Sequence, residues 1–138
     1  MSVYAVLDTN VLVSALLSSK ADAATVQVLE RTLDGDLIPV FSDAILEEYE
    51  DVLHRRKFGF DHDAVRVLLG FIESRGLRVD PSPTGMLLPD MKDLPFYEVV
   101  MEAREDAAYL VTGNLKHFPS EPFIVTARQM LDILEARQ

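Results

Sequence analysis

Short β-rich runs and amphipathic helical runs alternate along this chain, and no other feature of the sequence constrains its fold as tightly. Tyr4-Ala5-Val6-Leu7 is an unbroken apolar run, expected to be a fully buried strand. Helices are predicted over Asn10 to Leu17 and over Ala23 to Leu33, the second with Val26, Leu29 and Leu33 on one face. Leu37 to Phe41 reads as a second strand, in which Pro39 points to an edge position. Ser42 is expected to cap a helix running to about Arg55. Asp61 caps the next, where Val65, Leu68, Leu69 and Ile72 recur at i, i+3, i+4 and i+7. Leu77-Arg78-Val79, Tyr109-Leu110-Val111 and Phe123-Ile124-Val125 supply three more strands. Phe96, Val99, Val100 and Ala103 keep helical spacing between the first two of these. Thr126 and Gln129 form a capping box for a last helix.

Strands that alternate with helices imply a parallel sheet covered on both faces, a three-layer α/β domain. With 138 residues, the chain is expected to be one such domain over residues 1–138. In sheets of this kind, sites form beyond the carboxyl ends of the strands. One irregular stretch, Asp80 to Pro95, contains Pro81, Pro83, Gly85, Pro89 and Pro95, and a loop that long in a compact domain is usually functional or mobile.

Composition removes several chemistries. There is no cysteine, which excludes a disulfide scaffold, a thiolate zinc site and a cysteine nucleophile. No apolar run approaches the roughly 20 residues of a membrane span. Met1 to Leu7 enters the first strand without a basic leader, so the expected location is the cytoplasm. The net charge of −10, from 23 acidic and 13 basic residues, argues against gripping nucleic acid by charge alone. That objection weakens where clustered carboxylates carry a metal, because a bound dication inverts the local field.

Asp8 lies at the carboxyl end of the first strand, where its bland role is the N-cap of the following helix. Asn10 stands where an aspartyl phosphatase would need a second acid. The first strand also lacks a receiver's acidic pair, and Thr126-Ala127 after the last strand lacks its lysine. On the helix from Ser42, Ile45, Leu46, Tyr49, Val52 and Leu53 form the apolar stripe. Glu47 and Asp51 point away from it, whereas Glu48 and Glu50 flank it on opposite edges. Asp90 and Asp93 sit in the long loop before the helix near Pro95, and Asn114 follows the fourth strand. Each has an ordinary role as a helix-start or turn residue. Carboxylates gathered together repel unless a cation joins them, and hard oxygen ligands suit magnesium or manganese. His54 and His62 fall at helix boundaries and are weak ligand candidates. His117, beside Lys116, is better placed to meet a phosphate.

These residues in this order resemble the PIN-domain nucleases, and within them the VapC-like toxins of toxin–antitoxin pairs. The carriers are Val6 to Leu12, Phe41-Ser42 through Glu47-Glu48-Tyr49 to Leu53, Asp90 to Phe96, Leu110 to Asn114 and Lys116 to Pro119. The resemblance implies a sheet in the order 3-2-1-4-5 and a metal-dependent endoribonuclease with Asp8, Glu48 and Asp93 as its acidic Mg2+ or Mn2+ site. It selects Glu48 over Glu50 and Asp93 over Asp90. It also implies an RNA substrate, a cognate antitoxin and a homodimer. Many members have a fourth aspartate where this chain has Asn114, which would supply a neutral oxygen ligand. The rival expectation is a non-catalytic PIN-like module that binds protein or RNA.

Overall fold

The computed structural model describes residues 2–137. Five strands, β1 (Val3–Leu7), β2 (Leu37–Phe41), β3 (Leu77–Arg78), β4 (Tyr109–Val111) and β5 (Ile124–Val125), form one parallel sheet in the order β3-β2-β1-β4-β5. Five α-helices lie between the strands, α1 (Thr9–Leu17), α2 (Ala24–Leu33), α3 (Asp43–Leu53), α4 (His62–Arg75) and α5 (Leu94–Glu102), and α6 (Ala127–Ala136) follows β5. One group of helices, α3 with α4 and α5, packs together, and α2 packs on α1 and α6, so the sheet is flanked by helices as a three-layer α/β/α fold. This is the expected class and the expected strand order.

β1 lies at the centre because it can. Val3, Ala5, Val6 and Leu7 are all buried, so both of its faces are apolar, as a strand covered on two sides requires. It pairs in register with β2 (Val3 opposite Leu37) and with β4 (Leu7 opposite Val111). The helices start where their caps are. Ser42 Oγ accepts from Ile45 N at 3.2 Å, Asp61 caps α4 through Asp63 N, and Thr126 with Gln129 forms the capping box of α6.

Three expectations require correction. Pro39 does not mark an edge: β2 lies between β3 and β1. Its missing N–H costs no ladder bond, because pairing to β3 begins only at Val40, and the Pro39 carbonyl faces Gly76 ahead of that point. That approach also explains Gly76. A Cβ there would fall 2.5 Å from both the Pro39 and the Ile72 carbonyl oxygens, so only glycine lets α4 turn this tightly into β3. In α2 the buried residues are Val28 and Thr32, and Leu33 is exposed. Thr32 tolerates burial by donating its hydroxyl to the Val28 carbonyl at 2.8 Å. Finally, Ala103 leaves the helical register and begins a short 3-10 turn, Ala103–Asp106, after α5.

Candidate active site

Asp8 follows β1 directly, and its backbone N–H still pairs with the Val111 carbonyl at 2.9 Å. It occupies the N-cap position of α1, yet its side chain makes no capping bond. Instead Oδ2 accepts from the Thr112 hydroxyl at 2.8 Å and from Asn10 Nδ2 at 3.4 Å. The Thr112 hydroxyl accepts in turn from the Asn114 backbone N–H at 3.0 Å, and Asn10 Oδ1 accepts from Gly113 N at 3.1 Å. The turns after β1 and β4 are thus laced together around one carboxylate.

Glu48 reaches the same place from α3. Its Oε2 accepts from the Thr9 hydroxyl at 2.5 Å. Its neighbour Tyr49 is fully buried and donates its phenol to the Leu7 carbonyl at 2.5 Å, which fastens α3 to the end of β1. Burial, reinforced by the nearby Asp8 and Glu48 charges, holds that phenol far above its ordinary pKa, so it remains a donor. Glu50 is turned outward and pairs with His54 at 3.1 Å, and Glu47 and Asp51 are exposed. Asp93 arrives from the 3-10 turn Met91–Asp93, which Asp90 caps by accepting from Lys92 N. Asp90 is thereby occupied with local structure. Asp93 makes no capping bond and lies 3.1 Å from His117 Nδ1. That contact is where His117 is found; the structure shows it beside a carboxylate.

Asp8, Glu48 and Asp93 line a single cavity of about 690 Å3 at the carboxyl end of the sheet. Val13, Leu17, Val52 and Phe58 give it an apolar wall, and Arg55 and Lys92 bring positive charge to it. Asp8 is 5% exposed, and its pKa is raised from 3.8 to about 6. Burial is the main cause, opposed by the Thr112 hydrogen bond and reinforced by the Asp93 and Glu48 charges. Asp93 is also raised, chiefly by burial, with the His117 hydrogen bond acting in the opposite direction. Among the described residues, no three acidic or histidine side chains are gathered closely enough to hold an ion as they stand. The chemistry of the donors does fit a hard dication: three carboxylates face one cavity, and burial already disfavours one of them as an uncompensated anion.

Asn114 is not among the residues lining this cavity. It is exposed and borders an adjoining one with Asn10, Thr25 and Thr126, and its contribution to the acidic network is its backbone N–H. Thr9 and Thr112 belong to the site although no motif in the sequence marks them. Both are short β-branched hydroxyl residues directly after or near a strand end, which was the available signal. Thr112→Val should expose the role of the second. Leaving the buried Asp8 carboxylate without this donor should cost about 1–3 kcal/mol in urea unfolding.

A parallel α/β sheet with acids converging beyond its central strands defines a class of domain before any comparison is made. The family model for the PIN domain matches residues 4–116, and the chain belongs to that family. PIN domains are generally nucleases and typically use divalent metal ions. No curated protein matches the chain. No helix among the described residues is long and apolar enough to cross a membrane.

Proposed function

We propose that this protein is a metal-dependent endoribonuclease and the toxin of a toxin–antitoxin pair, with Asp8, Glu48 and Asp93 as its metal-holding acids. The observation that supports this reading most strongly is the arrival of carboxylates from residues 8, 48 and 93 in one cavity, with Asp8 buried. A bound Mg2+ or Mn2+ would polarise the phosphodiester and activate a water. The chain's own residues prepare for it. Thr112 and Asn10 fix the Asp8 carboxylate, Thr9 fixes Glu48, and His117 fixes Asp93. Arg55 and Lys92 offset the negative charge of an approaching phosphate. The three acids are not close enough among the described residues to hold an ion as they stand, so sharing one would require them to draw together. The antitoxin and a homodimer belong to the same proposal, on the strength of the family resemblance.

A second reading, a non-catalytic PIN-like binding module, draws on the absence of a closed three-acid cluster among the described residues. Labelled single-stranded RNA separates the two. Cleavage should require magnesium or manganese, stop with chelator, and be lost in Glu48→Gln and Asp93→Asn. Asn114→Ala should cut normally, since its side chain borders the adjoining cavity. Chelator-resistant cutting, or none with any divalent metal, removes the enzyme reading.

A further inference from the structure

The charge of this acidic chain is unevenly spread, and one short segment runs against it. Residues 54–60 read His54-Arg55-Arg56-Lys57-Phe58-Gly59-Phe60, which places three of the 13 basic residues side by side with no acid among them. The segment joins α3 to α4 and has a defined shape. Phe58 N donates to the Arg55 carbonyl at 3.1 Å, closing a turn. Gly59 adopts φ +67°, a left-handed conformation that folds Phe60 back. The Phe58 and Phe60 rings then stack at 5.5 Å and 11°, and His54 meets His62 edge-on at 4.7 Å across the base of the loop.

The functional groups of this loop are largely uncommitted. Arg55 is paired with Asp51 at 2.9 Å, but Arg56 and Lys57 make no ion pair among the described residues, and both are exposed. The Lys57 ammonium rests 5.1 Å from the centre of the half-buried Phe58 ring. Arg55 and Phe58 also line the cavity that holds Asp8, Glu48 and Asp93. An aromatic ring with cations beside it is the arrangement that binds single strands, because every base presents a π-face and every linkage a charge.

We infer that the 54–60 loop is a docking element for single-stranded RNA, with Phe58 as the stacking surface for one base and Arg56 and Lys57 as phosphate contacts. A base that enters against Phe58 displaces the flexible Lys57 stem and frees its ammonium for the neighbouring phosphate. The loop supplies locally the positive charge that the chain as a whole lacks, and it delivers the strand to the acidic cavity. The choice of RNA rests on the nuclease reading. The loop's own test does not depend on cleavage.

The test is fluorescence anisotropy of a short end-labelled oligouridylate with the full chain in EDTA, from about 50 to 200 mM salt. The slope of log Kd against log salt should flatten by roughly 1.4 in the Arg56→Gln/Lys57→Gln variant, at about 0.7 per phosphate contact. Phe58→Ala should weaken binding about tenfold, while Phe58→Tyr keeps the parental affinity. An oligomer lacking its bases should bind the parent as weakly as oligouridylate binds Phe58→Ala. Circular dichroism checks that each variant folds. Parental affinity and slope in all variants would overturn the inference. So would a polyglutamate peptide that competes as well as RNA while Phe58→Ala has no effect, because that outcome makes the loop a protein-binding surface. Metal-dependent cutting that survives with neutral loop variants sinks the loop and spares the nuclease reading. Loop-dependent binding without cutting in any metal does the reverse.

Discussion

Asp8→Asn should give a protein that is more stable than its parent and has lost its catalysis. The substitution keeps the shape and an oxygen that can accept from the Thr112 hydroxyl, so the lacing between the β1 and β4 turns survives. What disappears is a charge that burial and two neighbouring acids disfavour. The gap between 3.8 and about 6 corresponds to roughly 3 kcal/mol at neutral pH, which for a domain of this size is about 10 °C in Tm. Cleavage should fall by about three orders of magnitude. A metal's Lewis acidity is worth several kcal/mol, and each 1.4 kcal/mol or so is tenfold in rate. Thermal melts of the metal-free proteins at pH 7 test the first half and single-turnover cleavage the second. A variant less stable than its parent would mean that Asp8 is a structural anion.

The metal-free parent should lose stability as pH rises from about 4 to about 6 and hold level above that. The sign follows from proton counts. Asp8 titrates near 3.8 in the unfolded chain and near 6 in the folded one, so between those values the folded state binds more protons. Its raised pKa therefore appears as a destabilisation, complete above about pH 6 and relieved as pH falls below about 4. Asp93 is shifted in the same direction and adds to the trend. Saturating manganese should reverse it by binding the ionised acids of the folded state alone. The Tm should rise most at neutral pH, and binding at pH 5 should release protons. Melting curves over pH with and without manganese, repeated for Asp8→Asn, give the result. Equal curves with and without metal at pH 7 would show that the acids do not share an ion.

Much of this structure was legible because local signals agreed with global ones. β1 and β4 are short, continuous apolar runs, and Ser42, Asp61 and Thr126 announce their helices by side chains that cap them in space. The misreadings have physical causes. In α2, Leu33 advertised a face that Val28 and Thr32 occupy, because a threonine can bury itself by bonding to its own helix. Pro39 is read as an edge residue only when its missing donor faces a partner, and here it faces the gap before β3 begins. Helix geometry left Glu48 and Glu50 equivalent. The resemblance chose Glu48, and what distinguishes it in space is the Thr9 hydroxyl across from α3, a contact at 39 residues' separation that no periodicity encodes. Asn114 is expected to offer a side-chain oxygen; in the structure its peptide N–H meets the Thr112 hydroxyl and its side chain borders the adjoining cavity. The basic–aromatic run of residues 54–60 stands in consecutive letters, but its turn and the stacking of Phe58 on Phe60 are visible only in space.

The central place of β1 has a further consequence, for the time at which the site comes into being. Asp8 is held by Thr112, and its own peptide is paired with Val111, so this carboxylate is fixed by residues more than a hundred positions later. A chain emerging in order would carry Asp8 and Glu48 long before β4 exists to seat them. Parallel strands joined over such distances are late pairings, since the intervening loop must close before any contact repays it. The seating of Asp8 and the pairing of β4 with β1 therefore coincide. On the proposed reading, a half-made chain would lack a seated Asp8, and the acidic cavity would be complete only once β4 had paired with β1.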